Sequence, residues 1–119
     1  MKHSDLVVGT TSTISLEACI TDTPIINIGY DGDVRSEIPY FNSIKAWYDY
    51  PHYKKLLEFG AIEIVYNRME LINSINKYLA NPNHKSENRN KVKEAYVFEN
   101  DGSASKRYSR YIINYLKND

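Results

Sequence analysis

Thr10-Thr11-Ser12-Thr13 sets four hydroxyl side chains in a row, and Glu17 follows about one helical turn later among apolar neighbours. Hydroxyls and free N–H groups at the start of a helix can hold a phosphate, because the unpaired donors and the helix dipole favour negative charge. Ser12 and Thr13 are the candidates for a diphosphate, with Thr11 beside them. N-capping alone would need only one of these side chains. Glu17 could accept the two vicinal hydroxyls of a ribose, or simply face outward near the helix N-terminus. Its role in the first case is binding, not proton transfer. His52 could reach a phosphate as a cation or donor, or lie on the surface of a first helical turn. Gly9 and Gly29 close two apolar runs where a ligand could approach the backbone, although glycine there also serves plain turn geometry.

The elements that must position these residues are legible as runs and breaks. Residues 5–9 (DLVVG) and 24–28 (PIINI) are short continuous apolar stretches, the pattern of parallel strands covered on both faces. Pro24 sits at a strand start, where a missing N–H is tolerated. The hydroxyl turn between them opens a helix expected to run through Asp22. Residues 29–50 read as a polar, turn-rich connection in which Pro39 and Pro51 limit helix. A connection of that length in an α/β domain lines a site or covers the sheet. Residues 52–59 form a short helix ended by Gly60, and 61–66 a third strand. Residues 68–79 are helical in spacing and stop at Asn81-Pro82-Asn83. Ser86 caps a helix to about Phe98, and Ser103 starts a last helix with Tyr108, Tyr111, Ile112, Tyr115 and Leu116 on its apolar side. The expected architecture is α/β: a partial Rossmann-like three-layer sandwich with a small parallel sheet and C-terminal helices.

Composition bounds the rest. The 119 residues suffice for one domain or part of one. Lys plus Arg equals Asp plus Glu at 15 each, so nothing overall calls for nucleic acid. Residues 1–84 carry 7 basic and 10 acidic side chains against 8 and 5 in 85–119, which a solvated basic helix pair explains. The one cysteine, Cys19, excludes an internal disulfide, fits a reducing cytoplasm and reads as a small buried filler. No apolar run has transmembrane length, so any membrane association would be peripheral or through a partner. Asp31 and Asp33 read as a solvated turn, and no metal-ligand spacing, nucleophile–base pair, P-loop or G-x-G-x-x-G is visible.

Residues 4–30, SDLVVGTTSTISLEACITDTPIINIGY, resemble the C-terminal half of GT-B glycosyltransferases. The likeness is closest to the surface-polysaccharide and CDP-glycerol glycerophosphotransferase-like branch. HYKKLLEFG at 52–60 and DGSASKR at 101–107 resemble elements that follow in the same order. The order of the motifs carries more weight than any one of them. The resemblance implies a Rossmann-like donor domain in which Ser12 and Thr13 match the phosphate turn and Glu17 the ribose carboxylate. It also implies a CDP- or UDP-linked donor as substrate, with no separate cofactor and no bound divalent ion.

Carried to the whole chain, it implies a single partial domain. Residues 1–30 would form the donor site, 31–51 a loop, 52–84 helix–strand–helix and 85–119 the C-terminal helices. The acceptor domain, and with it the general base of glycosyl transfer, would lie upstream or on a partner protein, so the isolated chain is expected to be inactive. Expected surroundings are the cytoplasm or the inner membrane face, and self-association follows from an exposed sheet edge. Two other readings stand beside it. One is a noncatalytic remnant or subunit of a split transferase. The other is a sugar-nucleotide 2-epimerase-like protein, whose Gly-rich turn and paired Glu residues TTSTISLEA lacks.

Overall fold

The computed structural model describes residues 3–32, 38–97, 99 and 101–117. Along the chain lie β1 (Val7–Gly9), α1 (Thr13–Ile20), β2 (Ile25–Ile28), a 3-10 turn (Tyr40–Asn42), α2 (Ile44–Tyr48) and α3 (Pro51–Leu57). They are followed by β3 (Glu63–Val65), α4 (Arg68–Ala80), α5 (Ser86–Tyr96) and α6 (Ala104–Lys117). The three strands form one open parallel sheet in the order β1-β2-β3. Val7 registers with Ile25, and Ile26 with Glu63. The fold is α/β, a partial Rossmann-like sandwich.

Side chains alternate between faces along a strand, and β2 shows how the layers are fed. Ile25 enters a core with Ala18 and Cys19 of α1, Tyr48 of α2, Tyr53 and Leu56 of α3 and Val92 of α5. Ile26 points the other way, against Val65 and Tyr78 of α4. Asn27, on the Ile25 face, is fully buried and needs polar partners there. Gly29 continues β2 where a Cβ would lie 2.7 Å from Ile64 Cγ2, so only glycine lets the two strand ends approach. At Gly9 an added Cβ would meet nothing within 4 Å, so packing does not require glycine there.

Small residues set the closeness of α1. Ser15, Ala18 and Cys19 are its buried positions, packed against the sheet and α5. The helix stops at Ile20 instead of running through Asp22. Thr21 turns its hydroxyl back on the Glu17 carbonyl at 3.0 Å, and Asp22 takes a left-handed φ of 53°. Aspartate tolerates that region because its short polar side chain can bond locally. Here the side chain is used at long range. Asp22 Oδ1 accepts from Arg89 Nε at 2.7 Å, and Oδ2 from the Ser86 hydroxyl at 2.8 Å. Arg89, wholly buried, also donates to the His84 and Pro82 carbonyls at 2.7 and 3.0 Å. One guanidinium thus joins the end of α1 to the start of α5.

Three further expectations need correction. The 29–50 connection is not free of helix, because α2 forms between its two prolines. Asp31 is not a solvated turn residue: half-buried, it accepts the Ile44 N–H at 2.7 Å and the Ser43 hydroxyl at 2.6 Å, capping α2. Nor is every strand covered on both faces. α4 packs on β2 and β3, which leaves Val8 of β1 43% exposed. Asp33 and Phe98 lie outside the described residues.

Candidate functional site

The hydroxyl turn bridges β1 and α1 at the carboxyl end of the strands, the end where open α/β sheets place ligands. Ser12 is the N-cap, its Oγ accepting the Ile14 N–H at 3.3 Å. Among the described residues the Thr11 and Thr13 hydroxyls make no hydrogen bond, so capping uses one hydroxyl and leaves its neighbours for another acceptor or donor. All three residues border a cavity of about 350 Å³.

The facing wall is aromatic. Trp47 and Tyr50 come from α2 and the residues just after it, His52 and Tyr53 from α3, and Tyr96 from the end of α5. Tyr50 and His52 stack at 5.9 Å with planes 14° apart, and Trp47 meets Tyr50 edge-on at 6.2 Å. Hydrogen bonds hold this wall in place. Asp31 caps α2, and Tyr48 donates to the Ile28 carbonyl at 2.6 Å, stitching α2 to the end of β2. Asp49 accepts from the Tyr40 hydroxyl and pairs with Lys54 at 2.9 Å, which ties α2 to α3. The Ser43 hydroxyl, then the Ile44 N–H, hold the Asp31 carboxyl below its ordinary value. The Tyr40 hydroxyl and Lys54 do the same for Asp49. Both carboxylates therefore stay ionised at neutral pH. A shallower hollow of about 270 Å³ shares Thr11 and Trp47 and extends to Thr10 and Asp31.

Beneath the cavity lies a buried polar triad. Tyr53 donates to Ser15 Oγ at 2.9 Å, and Asn27 Nδ2 donates to the Tyr53 oxygen at 2.5 Å. Ser15 donates to Asn27 Oδ1 at 3.2 Å. Burial pushes the Tyr53 phenol up despite these bonds, so it remains a donor. The triad meets the requirement of buried Asn27 for polar partners and fixes α3 against the first turn of α1.

The cavity thus gathers Thr11, Ser12, Thr13 and His52. It does not include Gly9, which precedes the turn, or Glu17, which faces solvent on α1. Trp47, Tyr50, Tyr53 and Tyr96 are the aromatic lining residues that the sequence reading missed, with Leu16 and Leu56 between the walls. The signal was present in WYDYP at 47–51, three aromatics in four positions before a proline. Cys19 is buried, and burial raises its thiol to about 11, so it offers no thiolate nucleophile. Among the described residues no group of three or more His, Cys, Asp or Glu could hold a metal ion, and no helix is long and apolar enough to cross a membrane. Among the described residues no carboxylate lines the cavity. One wall offers hydroxyl groups and a helix N-terminus, the other ring faces. No protein-family model matches the chain, and no curated protein or solved structure matches it either.

Proposed function

We propose that this chain supplies the donor-nucleotide half-site of a transferase that moves a sugar or polyol phosphate to a surface-glycan acceptor. The observation that carries the reading is the cavity that opposes Thr11, Ser12 and Thr13 to Trp47, Tyr50 and Tyr96. A nucleoside diphosphate has the two chemistries these walls accept. Its phosphates suit the N–H groups at the head of α1, and its base suits an aromatic face. In the complete enzyme the same N–H groups and dipole would stabilise charge on the departing nucleotide. His52 is the lining residue able to carry a proton, and no carboxylate stands beside it among the described lining residues; the reading leaves the general base to another domain or protein.

Glu17 has a conditional place in this reading. It stands outside the cavity, so its carboxylate holds the ribose only where the ribose lies at the rim. A calorimetric titration of the folded chain with CDP, UDP and GDP tests the proposal. Saturable binding of one of them, weakened in Trp47→Ala by about 1–3 kcal/mol, supports it. A comparable loss in Glu17→Ala, about 1–3 kcal/mol, assigns the ribose to Glu17. Unchanged affinity in that variant removes Glu17 and leaves the aromatic cavity as the site. No binding of any nucleotide sinks the half-site reading for the chain by itself.

A further inference from the structure

The last helix poses a question that the cavity does not answer. None of the residues of α6 is buried, and every one but Arg107 is exposed. Yet its sequence is sharply two-sided. At about 3.6 residues per turn, Tyr108, Tyr111, Ile112, Tyr115 and Leu116 fall on one arc of about 140°. Tyr108 and Tyr111 are each 69% exposed and Leu116 68%. Lys106, Arg110 and Lys117 fall on the opposite side, where Ile113, half exposed, is the one large apolar side chain.

Charge narrows what can cover this face. The charged side chains of α6 are Lys106, Arg107, Arg110 and Lys117, all cations. Because acids and bases balance over the chain, the remaining residues carry four more acids than bases. Arg107 is engaged at the helix start by Glu99 at 2.6 Å and Asp101 at 2.8 Å, which fixes how α6 leaves the preceding turn. Among the described residues the other three cations have no acidic partner. A second copy of α6 would bring the same cations and no acid to meet them. An anionic surface meets all of them, while the acidic remainder of the chain is repelled and held away from it.

We infer that α6 is an interfacial anchor that lies in the headgroup layer of an anionic lipid surface, its Tyr, Ile and Leu side chains toward the acyl chains. The helix is about 21 Å long, suited to lying in the plane of a membrane and too short to span one. Low overall hydrophobicity, a segregated apolar face and a cationic polar face are the marks of such helices. Tyrosine suits the boundary, with its ring in the apolar layer and its hydroxyl among the headgroups. A helix about 10–12 Å across keeps the cations on its far side close to one Debye length, about 8–10 Å, from the lipid phosphates. The inference is independent of the nucleotide site, which lies on other elements.

The test is co-sedimentation of the full chain with phosphatidylcholine vesicles, with and without phosphatidylserine. Binding should favour the anionic vesicles by about tenfold or more and weaken as salt is raised. The double variants Tyr111→Ser/Tyr115→Ser and Lys106→Glu/Arg110→Glu should each lower anionic-vesicle binding by about tenfold. These side chains are exposed, so circular dichroism should show the fold unchanged. Absence of vesicle binding overturns the inference, and so does equal binding to neutral and anionic lipid. A concentration-dependent dimer abolished by Tyr111→Ser/Tyr115→Ser, with no vesicle binding, would assign the face to a second copy instead.

Discussion

Tyr53 donates its phenolic hydrogen to Ser15 Oγ at 2.9 Å, joining α3 to the first turn of α1 directly beneath the cavity. Both residues are buried, so the bond is shielded from competing water. It makes the spacing between the hydroxyl wall and the aromatic wall a property of the core. Tyr53→Phe keeps the ring and removes the hydroxyl, leaving Ser15 and Asn27 short of a partner. Equilibrium denaturation should show a loss of about 1–3 kcal/mol, the cost of stranding a buried polar group. Stability equal to the parent chain would mean that the triad does not brace the site.

Arg89 makes a second prediction. Arg89→Met retains most of the buried stem but abandons the Pro82 and His84 carbonyls and the Asp22 carboxylate. Unfolding free energy should fall by about 3 kcal/mol. Because Asp22 and Arg89 couple α1 to α5, the loss should exceed that from removing an exposed ion pair such as Lys54–Asp49, which is worth about 0–1 kcal/mol. Equal losses from the two pairs would contradict the account.

His84 predicts a pH dependence. Its ring packs against Tyr78 with centroids 5.3 Å apart, and Nε2 is buried with no partner among the described residues. Desolvation, then Lys77 and Lys85, lower its pKa in the folded state, with Glu63 opposing. The unfolded chain therefore takes up a proton at about 6.5, before the folded chain does. The contribution is whole above that value and is lost as pH falls from it toward the lower folded pKa. Denaturation midpoints should decline over that window, and His84→Gln should flatten the decline. An unchanged slope in the variant would place the titrating group elsewhere.

The parts of the fold that were readable from sequence are those built by local pattern. The apolar runs around Val7 and Ile26, the hydroxyl turn and Gly60 all announce themselves within a few residues. α2 did not, because it spans one turn and its capping carboxylate, Asp31, lies far from Ser43 and Ile44 in sequence. Arg89 sits in a helix of polar composition and reads as surface. Only the left-handed Asp22 and two carbonyls from another turn give it a reason to be buried. The candidate site divides the same way. Thr11, Ser12 and Thr13 were visible as a cluster, whereas Trp47, Tyr50 and Tyr96 converge through tertiary packing of α2 on α3 and of α5 on α1. α6 was legible as amphipathic, but spacing alone cannot tell a face that is packed from one that is bare.

The central claim, a nucleotide held between the hydroxyl turn and the aromatic wall, has a built-in reporter. Trp47 is the chain's one tryptophan and lines the cavity, so its fluorescence reads the site directly. Titrating the folded chain with CDP, UDP and GDP should give a saturable change for at least one of them, with inorganic pyrophosphate competing at the phosphate turn. Fluorescence unmoved by every nucleotide would contradict the account.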